Sequence, residues 1–173
     1  MTTNDFEDSV QENFVWARLV FFLSLVVILT ALGFEYLGGY APCPLCLQQR
    51  YAYYSALCLL ALVMILNRRL PTISLFLFFL VGLGYSANTF LGAYHAGVEW
   101  HFWAGPDTCA TQQALPQRAE DLLADLGTAR VVRCDEAALR FLGLSFAGWN
   151  TLVSLLLSAL SFLAIWNASK RNR

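Results

Sequence analysis

Charged residues are scarce in this sequence: Asp, Glu, Lys and Arg make up 13% of its 173 residues. A soluble domain carries about 25% of these residues, so a soluble core is excluded. Hydrophobic residues instead make up 58% of the chain. They form four blocks, each close to the roughly 20 residues that a helix needs to cross a bilayer. The blocks cover approximately residues 15–34, 47–66, 73–93 and 148–166.

The spacing of these blocks predicts the fold class. We expect an all-α, polytopic membrane protein, in which residues 1–173 form a single membrane domain built as a four-transmembrane-helix bundle. A short loop joins the first two helices, a very short connection joins the next two, and a long loop covers approximately residues 94–147. The sequence shows no internal repeat or low-complexity tract.

Basic residues are missing from the first 13 positions, MTTNDFEDSVQEN. A secretory signal peptide starts with a basic region and has a shorter apolar segment than residues 15–34. We therefore expect the first block to be retained as a transmembrane helix. Arg18 lies near its start, where its side chain can extend to the membrane surface.

The basic residues predict the orientation. Arg68 and Arg69 lie between the second and third blocks, and three more basic residues follow the fourth block within residues 170–173. Short basic segments next to transmembrane helices stay in the cytoplasm, whereas charges in a long loop such as 94–147 count for little. Both termini are therefore predicted to be cytoplasmic, and the two loops to lie outside.

Four of the five cysteines fall on the predicted outer side: Cys43, Cys46, Cys109 and Cys134. Disulfides form and persist on that side of the membrane. Cys58 lies within the second apolar block, where a cysteine behaves as a small hydrophobic residue. The sequence thus places its sulfur chemistry outside the cytoplasm.

The segment Cys43-Pro44-Leu45-Cys46 opens the second helix. Proline is tolerated in the first turn of a helix, so Cys43 is predicted to be the N-cap. Exposed N–H groups and the helix dipole favour a thiolate there, and the two-residue spacing suits a switchable disulfide. Arg50 lies one turn beyond Cys46 and would also stabilise an anion. A simple membrane-surface anchor is the alternative role for this arginine.

A zinc site is the main chemical alternative for this dithiol, because a CxxC pair supplies two of four zinc ligands. The sequence has no second CxxC: 24 residues separate Cys109 from Cys134. His95 and His101 could complete a site, but an oxidising compartment favours disulfides, so no metal is predicted. Cys109 and Cys134 could form a structural disulfide worth about 3–4 kcal/mol or an exposed, redox-active one. The sequence leaves both possibilities open.

Small residues recur in the third block, and such residues let membrane helices approach closely. We expect all of them to serve helix packing. They are Gly82, Gly84, Ser86, Ala87 and Gly92.

The four spans, CPLC before the second helix with Arg50 behind it, and the outer pair Cys109 and Cys134 resemble the disulfide bond formation protein B (DsbB) family. YHAGVEWHFWAGPDTC, residues 94–109, is similar to the start of that family's long periplasmic loop. CDEAALRFLGLSFAGWN, residues 134–150, is similar to its end. The resemblance covers the chain from about residue 15 to 167.

The resemblance implies a thiol:quinone oxidoreductase of the bacterial inner membrane. Such a protein reoxidises a DsbA-like periplasmic dithiol oxidase and passes the electrons to ubiquinone or menaquinone dissolved in membrane lipid. A non-thiol acceptor makes physical sense, because at about −120 mV DsbA is more oxidising than most dithiol couples. The implied partners include no nucleic acid, and both cysteine pairs would be periplasmic.

The resemblance also implies an order of electron transfer. Cys109 forms a mixed disulfide with the reduced partner, and Cys134 is released. Cys134 then passes electrons to the Cys43–Cys46 disulfide. Cys43 exchanges with the loop pair, while Cys46 is the thiolate that engages the quinone.

Two further residues enter through the resemblance. Arg50 would stabilise the negative charge that develops during quinone reduction. His95, at the outer end of the third helix, is a weaker candidate for the quinone pocket, with an ordinary interfacial histidine as the alternative. The chain departs from the family pattern at Pro44, which affects the disulfide potential, and in the residues LQQ before Arg50, which lack a carboxylate.

Three other functions remain as alternatives. A reductase similar to vitamin K epoxide reductase would use the reverse electron flow, but its CxxC lies late in the bundle. A structural protein with four spans and two loop disulfides would not need Arg50. A metal transporter would carry more polar residues in its spans than this sequence has.

Overall fold

The computed structural model describes residues 3–67, 69–106 and 133–171. Each long helix in these ranges contains a stretch that is long and apolar enough to cross a membrane. The all-α, four-helix membrane architecture expected from the sequence is thus confirmed. The four helices are α1 (Thr3–Tyr36), α2 (Pro44–Leu66), α3 (Pro71–Glu99) and α4 (Phe146–Arg171).

Helix α3 is longer than the sequence predicts. It continues to Glu99, so residues 94–99, which we expected in the long loop, are helical. The polar side chains of His95 and Glu99 interrupt the apolar run in the sequence, but both are buried in the folded protein. Their contacts within the bundle allow the helix to extend where hydropathy alone indicates a loop.

The interior of the bundle is formed mainly where α3 packs against α4, the pair of helices with the most extensive contact. Large side chains from three helices meet in its centre, including Leu60, Phe78, Tyr85 and Leu157. Many apolar side chains on the outside of the bundle are exposed, and Phe90 exposes 76% of its surface. In a membrane protein these outward residues face lipid, so their exposure carries no penalty.

Close approach between α3 and α4 depends on Gly92. A Cβ atom at this position would lie 2.7 Å from Thr151 Oγ1. Gly82 similarly faces the ring of Phe162, whose nearest carbon would lie 3.1 Å from a Cβ atom added there. Gly84, in contrast, has nothing within 4 Å of such a Cβ. The expected packing role is therefore confirmed for Gly92 and Gly82 and is wrong for Gly84, which lies on an open face.

Ser86 and Ala87 also differ from each other: one contacts α4 and the other is exposed. The hydroxyl of Ser86 shares a hydrogen bond of 2.7 Å with Ser158 on α4, whereas Ala87 is exposed on the outside of the bundle. The packing role expected for Ser86 is therefore confirmed, and the one expected for Ala87 is wrong.

A small β-hairpin precedes α4. Strands β1 (Arg140–Phe141) and β2 (Leu144–Ser145) pair antiparallel, and the two residues between them have positive φ, 52° for Leu142 and 82° for Gly143. Two such residues in succession form the tight turn whose twist suits a hairpin. Trp149 of α4 donates its indole N–H to the carbonyl of Phe141 at 3.0 Å, which ties the hairpin to the helix.

Candidate functional site

The dithiol lies at the start of α2, as the sequence predicts. Cys43 is the N-cap residue with extended backbone (φ −75°, ψ 165°), and Pro44 occupies the first turn. The backbone N–H of Cys46 donates to the sulfur of Cys43 at 3.2 Å. A residue with this geometry satisfies one of the N–H groups that a helix start leaves without a partner.

Cys43 and Cys46 are both free thiols in the structure, and their sulfurs lie 2.7 Å apart. Cys43 is buried and Cys46 is partly buried. Cys58, the other free cysteine in the described ranges, is exposed on the outer face of α2. The structure thus brings the two sulfurs of the CxxC segment together and leaves Cys58 apart from them.

The side chain of His95, on α3, contacts the dithiol. Its Nε2 atom lies 3.6 Å from the sulfur of Cys43 and 3.9 Å from a carboxylate oxygen of Glu99. The imidazole is 1% exposed, so it is no ordinary interfacial histidine in contact with water. Its function stays a prediction, but its position beside Cys43 is a finding that the sequence did not supply.

The pKa of the Cys43 thiol lies below its ordinary value. The hydrogen bond from the Cys46 side chain lowers it most and a hydrogen bond from His95 lowers it further, while burial acts in the opposite direction. The Cys46 N–H and His95 both point at the sulfur of Cys43, so they favour a thiolate on Cys43 with the proton on Cys46. In the reduced dithiol, Cys43 is therefore the sulfur best placed to be a thiolate.

A polar contact between Gln49, Asn150 and the ring of His95 is not predicted by the sequence. The amide nitrogen of Gln49 lies 2.9 Å from His95 Nδ1, and the amide nitrogen of Asn150 donates to Gln49 Oε1 at 2.7 Å. Gln49 is 5% exposed. Two amides in apolar membrane helices were the available signal, because polar groups at that depth need partners.

Arg50 is paired with Glu35 near the end of α1. The side chain of Arg50 is 14% exposed and that of Glu35 is 23% exposed, so the pair is largely shielded from water. From the sequence we gave Glu35 no function and expected the charge of Arg50 to serve Cys46. In the structure both Arg50 and Cys46 line the same cavity, and the guanidinium is held there by Glu35.

The cavity has a volume of about 810 Å³ and opens beside the dithiol. Most of its wall is apolar and comes from α1, α2, α4 and residues 133–141. Pockets for small organic ligands have this character: about 300–1,000 Å³, mainly apolar, with a few polar groups that fix orientation. Polar and sulfur-containing residues on its wall include Glu35, Cys43, Cys46, Gln49, Arg50, Tyr53, His95, Arg133, Glu136 and Asn150.

Cys134 lies beside the first cysteine pair. It is 1% exposed, packs in one cluster with Cys43, Leu45 and Val98, and its backbone hydrogen-bonds to His95. Cys134 is disulfide-bonded, and Cys109 lies outside the described residues. The long loop therefore brings one of its cysteines to the start of α2, where Cys134 is buried.

A charged rim follows Cys134 at the cavity edge. Arg133 contacts both carboxylate oxygens of Asp135, at 3.0 Å and 2.6 Å, and this contact lowers the pKa of Asp135. Both side chains are accessible to solvent, at 54% and 34%, so the pair adds little stability. Its position marks the water-facing side of the site.

The sulfurs of Cys43 and Cys46 and a ring nitrogen of His95 all lie within 4.8 Å of one another. Two thiolates and an imidazole could together hold a metal ion such as Zn²⁺. His101, the other histidine considered from the sequence, is exposed and has positive φ (60°) just beyond α3. The structure therefore brings one of the two histidines to the dithiol.

The chain is similar to known proteins over most of its length. The model of the family described as disulfide bond formation protein DsbB matches residues 13–164. The chain is also 27% identical over 137 residues to the uncharacterized protein RP370 of Rickettsia prowazekii (strain Madrid E), an alignment that covers 78% of this chain and 77% of that protein.

Proposed function

The chain belongs to the DsbB family of disulfide bond formation proteins, and from this premise we propose that it is a membrane thiol:quinone oxidoreductase. It would reoxidise a DsbA-like periplasmic dithiol oxidase, pass the electrons through two cysteine pairs, and deliver them to ubiquinone or menaquinone. Membership makes it a multi-pass membrane protein that acts as an oxidoreductase in disulfide formation. The donor and the acceptor are the proposed part.

One observation carries the proposal: Cys43 and Cys46 line a large apolar cavity at the start of a membrane-spanning helix. A lipid-dissolved molecule can reach such a cavity from the bilayer. A quinone accepts two electrons and two protons. The cavity offers it the groups that this chemistry needs, namely a dithiol, the cation of Arg50 and the imidazole of His95.

The thiol steps balance as two disulfide exchanges. A partner thiolate attacks Cys109, which forms the partner–Cys109 disulfide, breaks the Cys109–Cys134 disulfide and releases the Cys134 thiolate. Cys134 attacks Cys43, which forms the Cys43–Cys134 disulfide and releases the thiolate of Cys46. The burial of Cys134 in one cluster with Cys43 supports this second exchange, because thiol–disulfide exchange needs direct access between sulfurs.

The final steps return both disulfides. The second thiolate of the partner attacks the partner–Cys109 disulfide, which leaves the partner oxidised and releases the Cys109 thiolate. Cys109 attacks Cys134, which re-forms the Cys109–Cys134 disulfide, breaks the Cys43–Cys134 disulfide and releases Cys43. The Cys43–Cys46 disulfide would then re-form as the electron pair of this dithiol passes through Cys46 to a bound quinone. In total, one partner dithiol loses two electrons and two protons, and the quinone gains them. Arg50 stabilises the negative charge that develops in the cavity before protons arrive, since a cation in a site shielded from water acts strongly on nearby charge.

The orientation is part of the proposal. Both termini would be cytoplasmic and both cysteine pairs periplasmic, as the basic residues flanking the helices favour. An alkaline phosphatase fusion, active only outside the cytoplasm, tests it. Alkaline phosphatase fused after residue 173 should be inactive, and the same enzyme fused after residue 104 should be active. Activity at the C-terminus would reverse the orientation.

Quinone absorbance tests the function. We expect the protein in detergent, supplied with ubiquinone or menaquinone and a reduced DsbA, to abolish the absorbance of the oxidised quinone. Cys46→Ser should stop this loss, whereas Cys58→Ser, which removes an exposed sulfur on the same helix, should not. No turnover by the folded wild-type protein with either quinone would contradict the proposal. A structural or metal-binding function would then fit the cysteines better.

A further inference from the structure

We propose that Gln49 and Asn150 are positioning residues that hold His95 in the tautomer with its proton on Nε2, so that the imidazole donates a hydrogen bond to the sulfur of Cys43. Two side-chain amides on α2 and α4 would thereby set the chemical character of a histidine on α3. The inference deepens the proposed function, but its decisive measurement needs neither quinone nor a partner protein.

The orientation of the Gln49 amide follows from Asn150. The NH₂ group of Asn150 donates to Gln49 Oε1 at 2.7 Å. An amide has its oxygen on one side and its NH₂ group on the other, so Gln49 turns its NH₂ group to His95 Nδ1, 2.9 Å away. Nδ1 must then accept this hydrogen bond.

Asn150 is oriented in turn by its neighbours. Its Oδ1 atom accepts a hydrogen bond from the hydroxyl of Tyr53 at 2.7 Å and longer ones, of 3.4 Å, from Asn88 and Ser154. Donors therefore surround the oxygen of Asn150, and its NH₂ group is left to face Gln49. The chain of donors runs from Tyr53 through Asn150 and Gln49 to the ring of His95.

A neutral imidazole has one N–H group, so a ring that accepts at Nδ1 carries its proton on Nε2. Nε2 lies 3.6 Å from Cys43 Sγ, a reasonable hydrogen-bond length to sulfur, and 3.9 Å from the carboxylate of Glu99. Both neighbours are acceptors when ionised. Donation from Nε2 favours the thiolate of Cys43, whereas the opposite tautomer would present a lone pair and favour the thiol.

Burial makes the amide contacts decisive. Gln49 is 5% exposed and His95 is 1% exposed, so water cannot replace a lost amide partner. In an exposed histidine both tautomers would exchange freely. Here a change at Gln49 should alter which nitrogen is protonated, although Gln49 has no contact with either sulfur among the hydrogen bonds of the described residues.

Nitrogen-15 NMR of the imidazole provides the test, because the two tautomers have distinct ring-nitrogen shifts. The chain has two histidines, so His101→Gln leaves a single set of signals. In this background we expect the reduced protein to show a protonated Nε2 and an unprotonated, hydrogen-bonded Nδ1. A protonated Nδ1 with an unprotonated Nε2 would overturn the inference.

Substitutions then separate positioning from folding. Gln49→Met should remove the preference, and Asn150→Leu should do the same through Gln49. Gln49→Glu should place a proton on Nδ1, because a carboxylate can only accept. Ser86→Ala removes another polar contact between α3 and α4, the one with Ser158, and should leave the tautomer unchanged. An unaltered tautomer in both Gln49 variants would contradict the inference.

Thiol alkylation links the tautomer to Cys43. In the reduced protein, at a pH below the lowered pKa of Cys43, Gln49→Met should slow the alkylation of Cys43 by about tenfold, the change in thiolate that a rise of one pKa unit produces there. Ser86→Ala should not slow it. If the tautomer and alkylation results hold but quinone is not reduced, the proposed function fails and the inference stands. If quinone is reduced while the Gln49 variants behave like wild type, the proposed function stands and the inference fails.

Discussion

Arg50 of α2 and Glu35 of α1 form an ion pair at the wall of the cavity that contains the dithiol. The sequence places Arg50 one turn after Cys46 and says nothing of Glu35, which is 15 residues earlier in the chain. Pairing with this carboxylate holds the guanidinium at the cavity wall. The cation is therefore available to a ligand in the cavity at a defined position.

Arg50→Gln should slow quinone reduction by about 100-fold, the scale of effect seen when one charge-stabilising donor is removed, while binding of the reduced partner stays the same. Stopped-flow absorbance measures the first and surface plasmon resonance the second. Arg50→Lys should restore part of the rate, since it keeps the charge but loses the planar fork.

Glu35→Gln serves as the control for Arg50, because it removes the ion pair and keeps the cation. It should lower thermal stability, since a shielded charge loses its partner, and should slow the reaction less than Arg50→Gln. Quinone kinetics in Arg50→Gln equal to those of wild type would refute the electrostatic function of Arg50.

Cys134→Ser should trap the partner on Cys109. With Cys134 absent, the Cys109 thiolate attacks the disulfide of the oxidised partner and forms a mixed disulfide, and no neighbouring loop thiol remains to break it. Non-reducing gel electrophoresis detects the adduct, and peptide mass spectrometry locates it. Cys58→Ser should form no such adduct. Mapping of the trapped partner to Cys43 would reverse the proposed order of electron transfer.

Cys43 should react with iodoacetamide at a lower pH than an ordinary thiol, whose pKa is about 8.5. The hydrogen bond from Cys46 and the contact with His95 lower the pKa of Cys43, so its thiolate persists below the ordinary value. Reactivity should disappear as the pH falls through this lowered pKa. The pH profile of alkylation in the reduced protein, read by mass spectrometry, gives the midpoint.

His95→Phe should move that midpoint to higher pH, because it removes the hydrogen bond that the imidazole donates to Cys43. His101→Phe, at an exposed position outside the site, should leave the profile unchanged. A midpoint at the ordinary thiol pKa in the wild-type protein, or labelling of Cys46 before Cys43, would show that Cys43 is not the stabilised thiolate.

Gly92→Ala should destabilise the bundle by about 1–3 kcal/mol, the usual cost of overpacking. The new Cβ would lie 2.7 Å from Thr151 Oγ1 and 3.2 Å from the Thr151 backbone nitrogen, so α3 and α4 must separate. Unfolding in mixed detergent micelles measures the change. Gly84→Ala is the matched control on the same helix, since nothing lies within 4 Å of its Cβ. Equal stability of the two variants would contradict this account of the helix contact.

Much of the site can be read from the sequence, because local rules govern it. A proline after a cysteine at the start of an apolar run places Cys43 at the N-cap, and a spacing of three residues places Cys46 in the same turn. The length of the apolar blocks determines four spans, since a helix that crosses a bilayer must satisfy all of its backbone groups internally. These conclusions need no knowledge of which helices are neighbours.

Only the tertiary structure decides which groups meet at the dithiol. His95 and Glu35 are on α3 and α1, Asn150 is on α4, and Cys134 returns from the long loop, so each reaches α2 through helix packing rather than through sequence spacing. The hydropathy pattern also predicts that the third helix ends before residue 94, because it treats His95 and Glu99 as exposed polar residues. The helix in fact continues to Glu99. In the folded protein His95 is instead buried against Gln49 and Cys43 of the α2 region, and Glu99 is buried beside His95, so that neither lies in water. The chemistry of Cys43 therefore depends on contacts between residues that lie far apart in the chain.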